Sequence, residues 1–228
     1  MRQGGATCPC AGRARVDAYF DAPGVRALLE RHGAAPADAA AIRALVELEW
    51  ELFDEVEGLE GRASCQDDAR SFFMYRLAQY LAFPAEFAHR ALADARSLRT
   101  AHRNPVLEKY ARMMAVTDPD CYRATWARTL PAVSPVRACA LRELADACAP
   151  FASAASAAAP VASAHARVAT SRPREVSGLD YFLCEVAPYS LRTIWYLRDA
   201  MRELAAQGGN PIVDAYALAC AIDQVAGV

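Results

Sequence analysis

The spacing of apolar residues is the strongest constraint on how this chain folds. Apolar side chains recur every three or four positions along most of the 228 residues, instead of alternating. That period places them on one face of an α-helix, whereas a half-buried strand requires alternation. Ala, Leu, Arg and Glu dominate the sequence and β-branched residues are few, which favours helices further. We therefore predict an all-α fold with a single multi-helix domain.

Several helix starts are marked by a capping residue followed by proline at the first helical position. The pairs are Asn104-Pro105, Asp118-Pro119, Ser134-Pro135 and Asn210-Pro211. Apolar spacing predicts further helices over residues 16–31, 37–57, 65–82, 84–101 and 190–206. We expect residues 1–15 to be a disordered tail ahead of a helical domain at 16–228. An Ala/Ser-rich segment at about 149–173 is interpreted as a flexible linker or long loop.

Two segments of the chain are similar to each other. The run that begins at Asn104 (NPVLEKYA) matches the run that begins at Asn210 (NPIVDAYA). A tyrosine precedes each asparagine by 29 residues, at Tyr75 and Tyr181. This pattern predicts a duplicated helical hairpin whose copies pack about a pseudo-twofold axis. Chance similarity is the alternative, because an Asn-Pro cap alone explains half of the match.

Composition excludes several functional classes. The 25 basic and 27 acidic residues nearly cancel, so no overall field attracts nucleic acid or an anionic membrane. We find no dinucleotide or phosphate-loop glycine pattern, no secretory signal and no apolar run of membrane-spanning length. The eight cysteines are scattered and lack zinc-ligand spacing, which indicates a reducing compartment. We expect a cytoplasmic protein with no metal site and no evident cofactor.

Charged residues on apolar helix faces are the first candidates for a site. Glu49 lies in the apolar stripe of the 37–57 helix, where a carboxylate must be paired or protonated unless it reaches solvent at the stripe edge. Arg76 lies among aromatic residues on the next helix. It is a natural partner for Glu49, for Asp68 or for the carboxylate of a ligand. A purely structural ion pair is the alternative.

The turn between these two helices holds further candidates. Ser64 followed by Asp67 resembles a capping box. Cys65 would then occupy the first helical turn, where free amides and the helix dipole favour a thiolate. A small buried cysteine is the competing interpretation.

Lys109 is the only lysine among the 25 basic residues. Unlike arginine, a lysine amine can release its proton, act as a nucleophile or provide a compact charge. The alternative is an accidental lysine at a solvated position, with the neighbouring Tyr110 packed in the core.

These residues carry a resemblance to a known family. The run Gly61-Arg62-Ala63-Ser64-Cys65-Gln66-Asp67-Asp68, with residues 49–53 before it and 108–114 after it, resembles the bacterial domain-of-unknown-function family numbered 4125. The similarity covers residues 41–131 well and 181–219 more loosely. The family has no established activity to transfer. Its Gly-Arg-Asn helix start has become Gly208-Gly209-Asn210 in the second copy, so we place the site in the first copy.

Two functional hypotheses follow. The first is an enzyme of hydrolase, transferase or lyase type that acts on a small polar metabolite bearing a carboxylate or amide. Its candidate catalytic residues are Cys65, Asp67, Asp68 and Glu49. Its candidate substrate-binding residues are Arg62, Gln66, Arg76, Gln79, Lys109 and Tyr110. In this mechanism Cys65 attacks the substrate, a carboxylate moves protons, and Arg76 with Lys109 orients the substrate.

The second hypothesis is a noncatalytic helical module that binds a ligand or a partner protein through a buried polar network. A homodimer fits either hypothesis. A minor variant of the enzyme is a carboxylate site for Mg, Mn or Fe formed by Glu49, Asp67 and Asp68. The enzyme hypothesis further predicts that five side chains converge on one partly enclosed pocket: Glu49, Cys65, Asp68, Arg76 and Lys109.

Overall fold

The computed structural model describes residues 9–58, 61–158 and 175–225, and its regular structure is helical throughout these ranges. The α-helices are α1 (Pro9–Asp21), α2 (Pro23–His32), α3 (Pro36–Asp54), α4 (Ala69–Ala82), α5 (Ala85–Thr100), α6 (Pro105–Thr117), α7 (Pro119–Thr125), α8 (Pro135–Ala158), α9 (Gly178–Val186), α10 (Leu191–Ala206) and α11 (Pro211–Val225). A short 3-10 helix, Ser64–Asp67, precedes α4. The prediction of an all-α fold is confirmed.

The four proline-marked helix starts are confirmed. Each of these helices begins at the predicted proline, and the preceding side chain accepts hydrogen bonds from the first turn. Asn104 Oδ1 accepts from the N–H groups of Val106 and Leu107 at 2.9 and 3.0 Å. Asp118 and Ser134 cap α7 and α8 through single bonds of 3.1 and 3.3 Å. Satisfying these otherwise unpaired amides fixes where each helix begins.

Other boundaries differ from the sequence-based expectation. The helix predicted over 16–31 is two helices, because Pro23 forces Ala22 into an extended conformation with ψ of 132°. α1 begins at Pro9, so residues 9–15 of the expected tail are helical, while residues 1–8 lie outside the described residues. In the expected linker, α8 continues through Pro150 to Ala158. Residues 159–174 lie outside the described ranges.

The described residues fall into two compact units. Unit 1 is drawn from Met1–Arg96 and Ala217–Val228, and unit 2 from Ser97–Tyr216. In unit 1, α1 packs on α2, α3 and α4, and α3 packs on α4. An aromatic cluster joins the last two of these helices, with the rings of Phe53 and Phe72 stacked at 5.2 Å and Trp50 edge-on to Phe72 at 5.1 Å. This packing sets α3 and α4 side by side, which positions the buried charges described below.

In unit 2, α8 packs on α9 and α10, and α6 packs on α7 and α9. The fully buried residues Leu144, Ile194, Leu197 and Met201 belong to α8 and α10. α9 therefore lies with one side against α6 and another against α8. Within the described residues, no helix combines the length and apolarity needed to cross a membrane.

The two similar segments form matching helix junctions within unit 2. At the end of α5 and again at the end of α10, the third residue after the helix donates to a leucine carbonyl five positions earlier, at 2.9 and 3.0 Å. The residue before each of these donors has a left-handed backbone, with φ of 56° at His102 and 76° at Gly208. An asparagine cap then starts the next helix in both cases. Superposition of the complete hairpins stays a prediction.

Candidate functional site

The Gly61–Asp68 run forms a turn that is fastened to the end of α3. The amide of Gln66 is 2% exposed and donates to two carbonyls there, at 2.7 Å to Phe53 and 2.9 Å to Val56. Its Oε1 accepts from the backbone N–H of Ala63 at 2.8 Å. These carbonyls belong to the helix end, where intrahelical donors run out. Gln66, predicted to bind substrate, thus has a structural role that accounts for both ends of its amide.

Arg62 ties the same turn together from the solvent side. It forms ion pairs with Asp54 at 2.6 Å and Asp67 at 2.9 Å and donates to the Gln66 carbonyl at 2.8 Å. Hydrogen bonding to Asp67 is the largest contribution to an upward shift in the Arg62 pKa. The sequence placed Arg62 with the substrate and Asp67 among the catalytic groups, and the structure pairs the two with each other.

The helix that was predicted to begin at Cys65 begins at Ala69 instead, which changes the positions of Cys65 and Asp68 relative to its start. Cys65 lies in the 3-10 turn ahead of α4, where its thiol is exposed and not in a disulfide. Asp68, not Ser64, caps α4 by accepting from the N–H of Ser71 at 3.0 Å. Hydrogen bonds from the Ser71 side chain and backbone hold the pKa of Asp68 below its usual value. The shift of one turn removes Cys65 from the first turn of the α-helix, where the dipole acts most strongly.

Glu49 and Arg76 form a buried ion pair between α3 and α4. Arg76 Nε donates to Glu49 Oε2 at 2.7 Å, and its Nη2 donates to Oε1 of the same carboxylate. Glu49 is 5% exposed and Arg76 is 8% exposed. Sequence analysis gave Glu49, Asp68 or a ligand carboxylate as the partner of Arg76, and in the structure Arg76 pairs with Glu49. This geometry is the bidentate arrangement in which guanidinium and carboxylate fit best.

Two further polar groups join this cluster. The hydroxyl of Tyr80 accepts from Arg76 Nη2 and donates to Glu49 Oε1 at 2.7 Å. The amide oxygen of Gln79 accepts from Arg76 Nη1 at 3.0 Å. Removing one partner of such a buried pair costs about 3–5 kcal/mol, because the other charge is left uncompensated. The cluster is therefore a rigid network of mutually dependent groups.

Lys109 occupies a second buried cluster, in unit 2. Its Nζ donates to Glu185 Oε2 at 2.8 Å, and the two residues are 7% and 5% exposed. The Tyr181 ring lies with its centroid 3.8 Å from the ammonium nitrogen, and the Tyr110 ring lies at 5.6 Å. Aromatic faces attract a cation, more strongly where water is excluded. The alternative of an accidental lysine at a solvated position is therefore wrong.

A neighbouring carboxylate on α6 is shared by two arginines. Glu108, which is 5% exposed, accepts two bonds from Arg103 at 2.7 and 2.8 Å. Arg112 lies farther away, 3.6 Å from Glu108 Oε2. On the facing helix α9, burial raises the pKa of the Cys184 thiol to about 11; nearby Asp180 raises it too, and the charges of Arg112 and Lys109 oppose the shift.

The predicted site residues therefore belong to three groups. Glu49, Arg76 and Gln79 meet in one cluster of unit 1, while Arg62, Gln66 and Asp67 meet in the turn beside Cys65 and Asp68. Lys109 and Tyr110 belong to unit 2. The single pocket predicted for Glu49, Cys65, Asp68, Arg76 and Lys109 stays a prediction. Among the described residues, no group of three or more His, Cys, Asp or Glu side chains is arranged to hold a metal ion.

Tyr80, Tyr181 and Glu185 contact Glu49 or Lys109, but sequence analysis did not include them among the candidate site residues. Glu185 has the same signal that identified Glu49, because it is a lone carboxylate in an apolar helical run (YFLCEV). Tyr80 follows Arg76 by four residues and so shares its helix face. The partnership of Lys109 with Glu185 spans 76 residues, and no spacing rule in the sequence indicates it.

Comparison with known proteins identifies the family and nothing more specific. The model of a family described as "Protein of unknown function (DUF4125)" matches residues 39–221. The match covers most of the chain, so the chain belongs to this family. No curated protein and no solved structure matches it.

Proposed function

We propose that this member of the DUF4125 family is an enzyme acting on a small polar metabolite that carries a carboxylate or amide, with the Lys109–Glu185 pair as its acid–base centre. The observation that carries the proposal is the burial of the chain's only lysine against a buried carboxylate 2.8 Å away. Arginine provides the other 24 basic positions of the sequence. The one lysine thus occupies a buried position where an amine and a guanidinium differ in chemistry.

The energetics support a functional interpretation of this pair. Desolvating an ammonium and a carboxylate costs several kcal/mol per ion, and apolar residues of similar volume often stabilise a fold equally well or better. Buried, coupled ionisable groups are therefore enriched at functional sites. An arginine would provide the same charge, but it stays protonated at any relevant pH. Of these two basic residues, only lysine allows a proton to move between nitrogen and carboxylate.

The geometry defines what each group would do. The Lys109 ammonium is held by Glu185 and the Tyr181 ring, so its direction is fixed before a substrate binds. Such a fixed ammonium orients a substrate carboxylate or polarises an amide oxygen. Glu185 then accepts a proton from the substrate, or returns one through Lys109.

The proposal assigns the reacting group to Lys109 instead of Cys65. Arg62, Gln66 and Asp67, which surround Cys65 in sequence, already serve to fasten the turn. The exposed Cys65 thiol lies in that turn without the α-helical start that was expected to activate it. We expect Cys65→Ser to keep its activity, whereas loss of turnover in that variant would return the nucleophile role to Cys65.

The decisive variant is Lys109→Arg, which keeps the positive charge and removes the titratable amine. Purified wild-type protein is incubated with a library of small carboxylic acids and amides, and products are detected by mass spectrometry. We expect a substrate whose turnover falls at least about a hundredfold in Lys109→Arg and in Glu185→Gln. The exposed Arg192→Lys exchange is the matched control and should leave turnover unchanged.

Circular dichroism and thermal melting confirm that each variant is folded before its activity is compared. Full turnover by a folded Lys109→Arg protein would contradict the proposed acid–base centre. We propose a cytoplasmic location, because the six cysteines from Cys65 to Cys220 are free thiols, which fits a reducing compartment.

A noncatalytic module for ligand or protein binding is the second candidate. The Glu49–Arg76–Tyr80 cluster supports it, since its groups are bonded to one another, as in a network that specifies packing. This candidate predicts that wild type and Lys109→Arg bind the same small molecule or partner and that neither converts it. Product formation by the wild type would exclude this candidate.

A further inference from the structure

Arg112 has a buried hydrogen-bond donor without an acceptor in the described part of the chain. The atom is Nε, which is closed to solvent and bonded to none of the described residues. A guanidinium Nε–H can only donate, so its partner must be an oxygen or another acceptor. A buried donor left unpaired costs about 1–3 kcal/mol, which makes this position unfavourable unless an acceptor binds there.

The rest of the Arg112 side chain is anchored. Nη2 donates to the carbonyl of Pro131 at 3.1 Å and lies 3.6 Å from Glu108 Oε2. Arg103 already takes both oxygens of Glu108 at 2.7 and 2.8 Å, so Arg112 has only the weaker share of that carboxylate. The guanidinium is thus fixed in place, incompletely neutralised, and has an unused donor beside its Nη2 group. Nε–H is therefore the donor of this guanidinium that a carboxylate oxygen would accept from.

Position on α6 links Arg112 to the proposed acid–base centre. Arg112 follows Lys109 by three residues, so both side chains project from the same face of the helix. The facing helix α9 carries Glu185, the partner of Lys109.

We infer that Arg112 is a substrate-binding residue that takes the carboxylate of an anionic substrate through its Nε–H edge, one helical turn from Lys109. The inference rests on the proposed function and deepens it by selecting carboxylates over neutral amides. It assigns separate roles along α6: Arg112 holds the carboxylate, and Lys109 meets the part of the substrate that reacts.

The test is an NMR titration of wild-type protein that follows the Nε–H signals of its arginines. Acetate is the probe, acetamide is the neutral control, and chloride keeps the ionic strength constant. We expect the Arg112 Nε–H signal to move downfield with acetate and to stay in place with acetamide, while the other arginines serve as internal controls. The signal is assigned by its loss in Arg112→Lys, or in Arg112→Gln if the first variant does not fold.

Affinity provides the second readout. Arg112→Lys keeps the charge and loses the Nε–H edge, so we expect about tenfold weaker binding of acetate, with no change in the exposed Arg192→Lys control. An Arg112 signal that is already downfield in free protein and does not respond to acetate would overturn the inference. Equal acetate affinity in folded Arg112→Lys would overturn it as well.

These outcomes are separable from the test of the enzyme itself. Acetate binding that depends on Arg112, in a protein without turnover, would retain the carboxylate site and reject the acid–base proposal. Turnover that depends on Lys109, together with an Arg112 signal that does not respond to acetate, would retain the acid–base proposal and reject the carboxylate site.

Discussion

Gln66 shows how a residue within a distinctive motif can serve the fold alone. Its side chain closes the carboxyl end of α3 by bonding to two carbonyls and to one backbone N–H in the following turn. Lys109 is the contrasting residue, since its ion pair with Glu185 has a cost that packing alone does not require. The contacts of a polar residue therefore indicate whether its role is structural or functional. Its position within a sequence motif does not.

Gln66→Met provides a prediction at the scale of the residue. Methionine has a similar volume but removes the bonds of Gln66 to two carbonyls and one N–H, of which the Phe53 carbonyl keeps a second donor in Val56, so we expect a loss of about 2–4 kcal/mol in the free energy of unfolding. Urea denaturation measures the loss. Gln207→Met is the control, because Gln207 is exposed at the end of α10 and its change should cost under about 0.5 kcal/mol. Equal stability of the two variants would show that Gln66 does not fasten the turn.

At the scale of the element, helix ends in this chain are set by short polar signals. Asn-Pro and Asp-Pro pairs start helices, and left-handed residues end them at His102 and Gly208. One left-handed position is a histidine and the other is a glycine, although the backbone hydrogen bonds around them match. A residue with a Cβ is strained there by about 1–2 kcal/mol, whereas glycine is not.

His102→Gly should therefore stabilise unit 2. We expect a gain of up to about 1 kcal/mol, since relief of strain at φ of 56° outweighs the greater freedom of glycine in the unfolded chain. The reverse exchange, Gly208→Ala, should cost about 1 kcal/mol through backbone strain alone, because a Cβ there would meet no atom within 4 Å. Thermal melting of the two variants checks the pair. Destabilisation by His102→Gly would mean that the imidazole makes a contribution larger than the strain.

At the scale of the whole molecule, both units bury charge. Unit 1 contains the Glu49–Arg76–Tyr80 cluster, and unit 2 contains the Lys109–Glu185 pair and the carboxylate of Glu108. Cysteines likewise occupy every environment, from the exposed Cys65 to the buried Cys148. Because the thiolate is the reactive form and burial disfavours it, the reactivity of the cysteines should fall as their burial increases.

Thiol labelling tests this whole-molecule prediction. At pH 8, iodoacetamide should modify Cys65 and Cys220 well before Cys148 and Cys184, because burial raises the pKa of both slow thiols, to about 12 and about 11. Mass spectrometry of peptides over a time course gives the order, and protein in urea, where all sites should react alike, is the control. Early modification of Cys184 would contradict its raised pKa and its partial burial on α9.

The same shift has a consequence for stability at high pH. Between an unfolded thiol pKa of about 8.5 and the folded value of about 11, the unfolded chain has lost the Cys184 proton and the folded chain retains it. The contribution is therefore fully present below about pH 8.5 and is lost as pH rises toward 11. Cys184→Ala should show a shallower fall in melting temperature across this interval, and an identical fall would contradict the assignment.

Local interactions are what the sequence alone determined. The helical class follows from apolar spacing, and the starts of α6, α7, α8 and α11 follow from caps that act within four residues. Glu49 could be identified as a buried carboxylate because its stripe neighbours are apolar, and Arg76 as a candidate partner because it lies among aromatic residues on the next helix. Family membership follows in the same way from a contiguous run of residues.

Only the tertiary structure decided which distant groups meet. Lys109 pairs with Glu185 because α6 packs on α9, and Gln66 reaches Phe53 because the turn folds back on α3. Periodicity resolves neither the break between α1 and α2, which comes from the effect of Pro23 on the Ala22 backbone, nor the position of Cys65, which lies outside α4 because Asp68 caps that helix. Burial determines the free-energy cost of each charge and whether each hydrogen-bond donor can reach water. It depends on how the helices pack together, which the spacing of residues along one helix does not specify.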